Sequence, residues 1–329
     1  MNPPLATQNH PADQSKVIVS PPHIDPVPEG VHRPLWSVMI PTFNCAKYLR
    51  QTLESVLAQD PGPDQMQIEV VDDCSTRDNP EEVVREIGKG RVAFYRKPKN
   101  EGATANFNTC IHRSRGLLVH ILHGDDYVLP EFYEKISNKA KSHPEASSFF
   151  VRCQIVDDFG ELDRISGRLA QLAKPSSSPD NLFYCNEIRT PGVVIRRCFY
   201  EKGGGFLPRL VHSADWEMWV RAIGLGTGVS INELLAAYRE FPNNDTGRLA
   251  RTAENLRDYL RLGEIFESNF ADFNPGRFRA MVAISAKQQE MNFANKGDSE
   301  ATSANYKLWS ELTPWTWQIW TRLRQLSAR

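Results

Sequence analysis

The chain reads as an α/β protein: a mainly parallel sheet flanked by helices, followed by a helical C-terminal extension. Three observations carry that reading. From Trp36 to about Tyr127, short apolar runs of strand length alternate with segments whose apolar residues recur at helical spacing. Most connections between the strand runs are too long for hairpins, which implies parallel pairing through right-handed crossovers. Two of the strand runs also end in adjacent aspartates, Asp72–Asp73 and Asp125–Asp126. These fall at the carboxyl ends of the strands, where such sheets bind ligands.

Taken in order, residues 1–34 hold eight prolines, few aromatics and no periodic apolar pattern, and are expected to form a disordered or loosely packed leader. Trp36 to Ile40 reads as the first strand, with Pro41 ending its ladder. Asn44 is placed to cap a helix carrying Leu49, Leu53, Val56 and Leu57 on one face. The second strand is Met66 to Val71. Pro80 suits a first helical position, and Glu81 and Glu82 complement the positive end of the helix that follows. Val92 to Arg96 is the third strand, Thr104 to Ser114 a helix, and the run Leu117 to Tyr127 (LLVHILHGDDY) the fourth strand and its exit. Ser148 to Ile155 reads as a hairpin strand closed by Asp157 and Asp158, both turn residues. Ser213 is placed to cap a helix whose Trp216, Trp219, Val220 and Ile223 share one apolar face. From about Leu249 the chain reads helical. The expected organisation is therefore a leader at 1–34, a main domain at 35–245 with halves at about 35–130 and 131–245, and a helical segment at 246–329.

A length of 329 residues with 40% hydrophobic and 24% charged residues is ordinary for a globular protein, and a net charge of -1 argues against a nucleic-acid-coating surface. The cysteines at 45, 74, 110, 153, 185 and 198 form no CxxC pair and no Cys/His zinc spacing, which fits reduced structural thiols. No signal-peptide pattern and no membrane-length apolar run occurs, so a cytoplasmic location is expected. There is no GxGxxG after the first strand and no GxxxxGK[ST] anywhere, so neither a dinucleotide fingerprint nor a P-loop explains the sheet. Two carboxylates about 4 Å apart repel by roughly 4 kcal/mol at an effective dielectric near 20, so a concave site carrying both recruits a cation or shifts a pKa. A solvated Asp-Asp turn bent at Gly124 is the competing reading of either pair alone. Two pairs on one rim favour a ligand site.

The segments SVMIPTFN (Ser37 to Asn44), VVDDCST (Val70 to Thr76), NEGATANFN (Asn100 to Asn108) and ILHGDDYVLP (Ile121 to Pro130) resemble the successive motifs of family 2 glycosyltransferases of the GT-A fold. TPGVVIR (Thr190 to Arg196), GGGF (Gly203 to Phe206), ADWEMWVR (Ala214 to Arg221) and AYR (Ala237 to Arg239) resemble that family's acceptor half. The resemblance implies a Rossmann-like sheet and an inverting, metal-dependent transfer of sugar from a nucleotide-diphosphate donor, with a UDP-sugar expected. The acceptor would be a hydroxyl of a saccharide or glycolipid in cell-surface polysaccharide or glycoconjugate synthesis. By position, Asp73 would recognise base or ribose, Pro41 and Thr42 would line the nucleoside pocket beside Asn44, and Asp125 would bind Mg2+ or Mn2+ with Asp126 in support. Asp215, in the first turn of its helix, would be the general base.

Three departures from the family pattern stand out. His123 occupies the place of the first aspartate of D-x-D, Phe107 that of an arginine facing the nucleotide, and Phe241 that of a histidine, for which His212 is a candidate substitute. Together they raise the alternative of a catalytically weakened nucleotide- or carbohydrate-binding relative. The tail, with Trp309, Trp315, Trp317 and Trp320 beside Arg322, Arg324 and Arg329, suits peripheral contact with the inner face of a membrane or docking on its own domain.

Overall fold

The computed structural model describes residues 20–169, 180–241 and 245–314. Its elements are β1 (Trp36–Thr42), α1 (Ala46–Leu57), β2 (Met66–Asp72), α2 (Pro80–Gly88), β3 (Ala93–Arg96), α3 (Ala103–Arg113), β4 (Leu118–Ile121), β5 (Tyr127–Val128), α4 (Phe132–Ser142), β6 (Ser148–Val156), β7 (Leu162–Ile165), α5 (Asp180–Tyr184), a 3-10 turn (Thr190–Gly192), β8 (Val193–Arg196), α6 (Arg197–Gly203), α7 (Ala214–Leu225), β9 (Gly228–Arg239), α8 (Asp245–Arg251), α9 (Glu254–Asn269), α10 (Pro275–Asn295) and α11 (Ser299–Leu312).

The described strands form one sheet in the order β3-β2-β1-β4-β8-β6-β9-β5, with β7 added as a hairpin on β6. β3, β2, β1 and β4 all pair in parallel, as the alternation of strands and helices predicts. Beyond them the sheet is mixed: β8 runs antiparallel to β4 and β6, β9 parallel to β6, and β5 antiparallel to β9. β1 and β2 are buried along their whole length, which is why they read as continuous apolar runs. Strand order reverses around β1, so the exits of β1, β2 and β4 open on one crevice.

Alternate residues of each strand feed two cores on opposite faces of the sheet. Val38 and Ile40 pack with Leu49 and Leu53 of α1, Val84 of α2 and Phe132 of α4. Met39 packs on the other face with Ile111 of α3, Trp219 of α7 and the C-terminal helices, through Leu256, Phe266, Phe278 and Leu308. The helices after residue 245 thus share a core with the sheet.

Several local expectations are corrected. Residues 20–34 are not loose. Ile24 is fully buried beside Phe206 and Leu210, Gly205 N donates to Pro22 O at 2.8 Å, and Arg197 Nη2 donates to Asp25 O at 3.2 Å. One buried isoleucine among prolines leaves no periodic signal. β1 does not stop at Pro41 but pairs with β2 through Pro41 and Thr42. Its pairing with β4 has already ended at Met39, so the missing proline N–H breaks no ladder bond there. Cys45, not Asn44, holds the N-cap of α1. Asn44 lies in the left-handed region at φ 53, which asparagine tolerates, and its Oδ1 accepts from Thr76 N and Arg77 N at 2.9 Å each. Trp309 is buried in the C-terminal core rather than facing outward. The later tail tryptophans and arginines lie outside the described residues. Among the described residues, no helix is long and apolar enough to cross a membrane.

Candidate active site

β4 spends its apolar residues on the two cores, and the chain then turns sharply at Gly124. A Cβ on Gly124 would come within 2.7 Å of Thr42 Cγ2 and 2.9 Å of Cys45 Sγ, so only glycine passes beneath the exit of β1. Gly124 N donates to Pro41 O at 3.1 Å, and Thr52 Oγ1 of α1 donates to Asp126 O at 2.7 Å. This turn gathers His123, Asp125 and Asp126 so that one ligand atom from each lies within 4.8 Å of the others. His123 Nε2 and Asp126 Oδ2 are buried without a hydrogen-bond partner among the described residues.

Burial dominates the electrostatics of this turn. Burial raises the Asp125 carboxyl to about 6. Burial, then the charge of Asp125, pushes Asp126 well above the usual carboxylate range. Burial also depresses His123 to about 4, leaving a neutral ring at pH 7. A neutral imidazole with a free buried nitrogen beside two carboxylates is a donor set that fits a divalent cation. Two of the three departures from the family pattern touch each other. Phe107 stacks on His123 with centroids 4.9 Å apart and planes 14° apart, and its far edge meets Phe206. Phe241 packs on Tyr48 at 5.2 Å. His120, one turn of the pleat earlier, is a core residue: its Nε2 donates to Pro191 O at 3.0 Å and its ring stacks on Phe132.

Arg239, at the end of β9, brackets the aspartate turn. Its backbone N donates to Asp126 Oδ1 (2.8 Å) and its Nε to Asp125 O (3.0 Å). Its two terminal nitrogens reach Asp157 O (2.9 Å) and Gln51 Oε1 (2.6 Å). Asp157 is a turn residue as expected, its Oδ1 accepting from Phe159 N and Glu161 N, whereas Asp158 pairs with Lys47 and Tyr48 of α1. The sequence marks Arg239 only as part of AYR; a residue that works through its guanidinium and backbone together has no spacing signal.

On the neighbouring exit, Thr42 O accepts from Asp73 N at 2.9 Å, tying β1 to β2. Asp73 is engaged by its neighbours. It is buried, with Lys97 Nζ at 2.8 Å, and it accepts from Glu101 N and Gly102 N, so it holds the loop that starts α3. Asp72 is likewise internal, bonded to Ser75 and Arg96. Pro41, Thr42, Asn44 and Asp73 thus knit the rim, with their polar groups engaged by neighbouring backbone.

Asp215 sits in the first turn of α7 and is partly buried. Burial raises it to about 6, against the opposing pull of the Trp216 N–H it accepts and the charge of Arg189. Helix position alone predicts an easily ionised carboxylate; desolvation outweighs the dipole here. Ser213 is the N-cap residue of α7 but does not cap with its hydroxyl, which donates instead to Asp258 of α9 at 2.7 Å. Glu217, two residues beyond Asp215, is locked to Arg221, which also donates to the carbonyls of Gly203, Gly204 and Gly205. His212 faces Tyr259 rather than the aspartate cluster. Two residues that the sequence did not mark enter the site: Arg189, whose guanidinium lies 5.7 Å from the Tyr238 ring, and Asp258. Burial raises the Tyr238 hydroxyl, Asp126 and Asp125 add to that shift, and Arg189 opposes it.

The cluster of His123, Asp125 and Asp126 lies at the carboxyl end of β4, on the rim where sheets of this kind bind ligands. Residues 37–195 match the sequence model described as glycosyl transferase family 2. It is 26% identical over 239 residues to an uncharacterized glycosyltransferase of Methanocaldococcus jannaschii, covering 70% of this chain and 79% of that protein. Among solved structures, residues 1–349 of TarS from S. aureus in complex with UDP-GlcNAc align with a TM-score of 0.53 at 15% identity, over 84% of this chain and 91% of that one. The mannosyltransferase PcManGT from Pyrobaculum calidifontis, in complex with GDP-Man and Mn2+, aligns at 0.51 and 16% identity, over 93% and 84%. The fold is the GT-A type.

Proposed function

We propose that the chain transfers a sugar from a nucleotide-diphosphate donor, a UDP-sugar first, to a hydroxyl acceptor with inversion. The observation that carries this reading is the cluster of His123, Asp125 and Asp126, with two buried ligand atoms left without partners at the exit of β4. These residues would hold Mg2+ or Mn2+, which supplies positive charge where the leaving diphosphate gains negative charge. Asp215 removes the acceptor hydroxyl proton as the acceptor oxygen bonds to the anomeric carbon. The bond from that carbon to the diphosphate oxygen breaks, and the nucleoside diphosphate leaves with the electron pair. Asp73 contributes by holding the Glu101–Gly102 loop at the nucleoside side, with Pro41, Thr42 and Asn44 shaping the same wall.

The test is a panel of UDP-, GDP- and dTDP-sugars, with and without Mn2+, read by thermal shift and by released nucleoside diphosphate. Cation-dependent stabilisation together with diphosphate release supports the transferase. Stabilisation by a nucleotide with no release from any donor supports the binding relative that the three departures suggest. Asp125→Ala should lower release at least 100-fold, on the order of 3 kcal/mol of transition-state stabilisation, while keeping the wild-type melting temperature within a few degrees; a variant that retains activity removes the cation role.

A further inference from the structure

The loop that enters α7 is held from α9, outside the stretch matched by the family model. Asp258 of α9 is fully buried. Its carboxylate accepts from three successive backbone N–H groups, those of Val211 (3.2 Å), His212 (2.9 Å) and Ser213 (2.8 Å), and from the Ser213 hydroxyl (2.7 Å). That grip ends two residues before Asp215. On the other side of Asp215, Tyr259 sets its ring edge-on against Trp216, 5.1 Å between centroids at 89°. The Trp216 indole N–H is fixed in turn by Leu182 O at 2.5 Å. Two adjacent residues of one helix therefore hold the chain on both flanks of the carboxylate.

Resting on the reading of Asp215 as the base, we propose that Asp258 and Tyr259 are positioning residues for it, and that α9 belongs to the catalytic apparatus. A carboxylate gathering three N–H groups and a hydroxyl makes short, charge-assisted bonds that leave the backbone little freedom. Tight placement matters at a base, because a displacement of about 1 Å at a reacting group costs on the order of 100-fold in rate. The surrounding charges are shared between elements. Arg189, from the loop before β8, favours the ionised base, and Asp258 opposes it. Arg261 lies 3.3 Å from Asp258, and His212, Tyr259, Asp245 and Cys185 are further titratable groups nearby.

The experiment uses the full chain with UDP-GlcNAc and GDP-mannose as probes, following released UDP or GDP against pH for Asp258→Asn, Ser213→Ala and Asp215→Asn. Asp258→Asn should leave donor KM and the UDP-induced thermal shift within about twofold of wild type while kcat falls roughly 10- to 100-fold. Its acid limb should move to lower pH, since the opposing charge is gone. Ser213→Ala keeps all three backbone donors and should show the same split with a loss of about 3- to 10-fold; it decides the question if Asp258→Asn does not fold. A folded Asp258→Asn with unchanged kcat and an unmoved acid limb overturns the positioning role, as does an equal loss of kcat and nucleotide binding. If Asp215→Asn turns over either probe at the wild-type rate, the base assignment itself falls. An inactive Asp215→Asn beside unchanged Asp258→Asn and Ser213→Ala overturns the positioning role alone.

Discussion

At the scale of single residues, the site differs from its family pattern in a coupled way. His123 and Phe107 are stacked, so the ring that replaces a carboxylate is oriented by the ring that replaces a guanidinium. Imidazole suits first-row transition ions better than Mg2+. His123→Asp should therefore strengthen Mg2+ binding relative to Mn2+, measured by Mn2+ electron paramagnetic resonance with Mg2+ competition; an unchanged ratio excludes the ring from the cation. Asp215 carries a pH prediction. With its folded value raised from 3.8 to about 6, the folded protein holds this proton more tightly than the unfolded chain. Ionisation then works against the fold: the penalty is absent below pH 4, grows between 4 and 6, and is complete above. Asp215→Asn should consequently stabilise the protein at pH 7.5 by up to about 3 kcal/mol, less where solvent reaches the carboxylate, and confer no gain at pH 3.5. For activity the sign is opposite, because the ionised form is the base: wild-type kcat should fall as pH drops through about 6. Comparing urea midpoints at the two pH values and recording the kcat profile checks both. The sequence exposed Asp125, Asp126 and Asp215 through motif position. It hid the internal engagement of Asp73, because nothing in VVDDCST tells which way a carboxylate points once Lys97 packs beneath it.

At the scale of elements, the parallel half was legible and the mixed half was not. The buried strands β1 and β2 and the amphipathic helices from Ala46 to Arg113 announce themselves by period and by terminal residues such as Pro80 at the start of α2. The partners of β8, β6 and β9 depend on residues more than 30 positions apart, which periodicity does not encode. The same distance problem hid Arg239. Truncating this bracket as Arg239→Met removes bonds to Asp125 O, Asp157 O and Gln51. The loss should be about 2–4 kcal/mol, with Mn2+ affinity falling further than nucleotide affinity, because the freed turn carries Asp125 and Asp126. Chemical denaturation and calorimetric titration of Mn2+ and UDP separate the two effects; equal weakening of both ligands would point to general unfolding instead.

At the scale of the whole molecule, one core runs from Ile24 through Met39 and Trp219 to Phe266 and Trp309. A separable C-terminal appendage would melt in its own transition. Phe266→Ala, at the centre of the shared core, should instead cost about 3–5 kcal/mol and shift one cooperative transition that nucleotide-site and C-terminal fluorescence probes follow together; two resolved transitions would show that the helices unfold separately. The docked segment around Ile24 also sets an order of events during synthesis. Its partners Arg197 and Gly205 lie far along the chain, Arg197 being 172 residues beyond Asp25. The segment around Ile24 therefore waits undocked during synthesis, its isoleucine exposed, until α6 has emerged, and the early parallel strands face the same delay on the face that α7 and α9 cover.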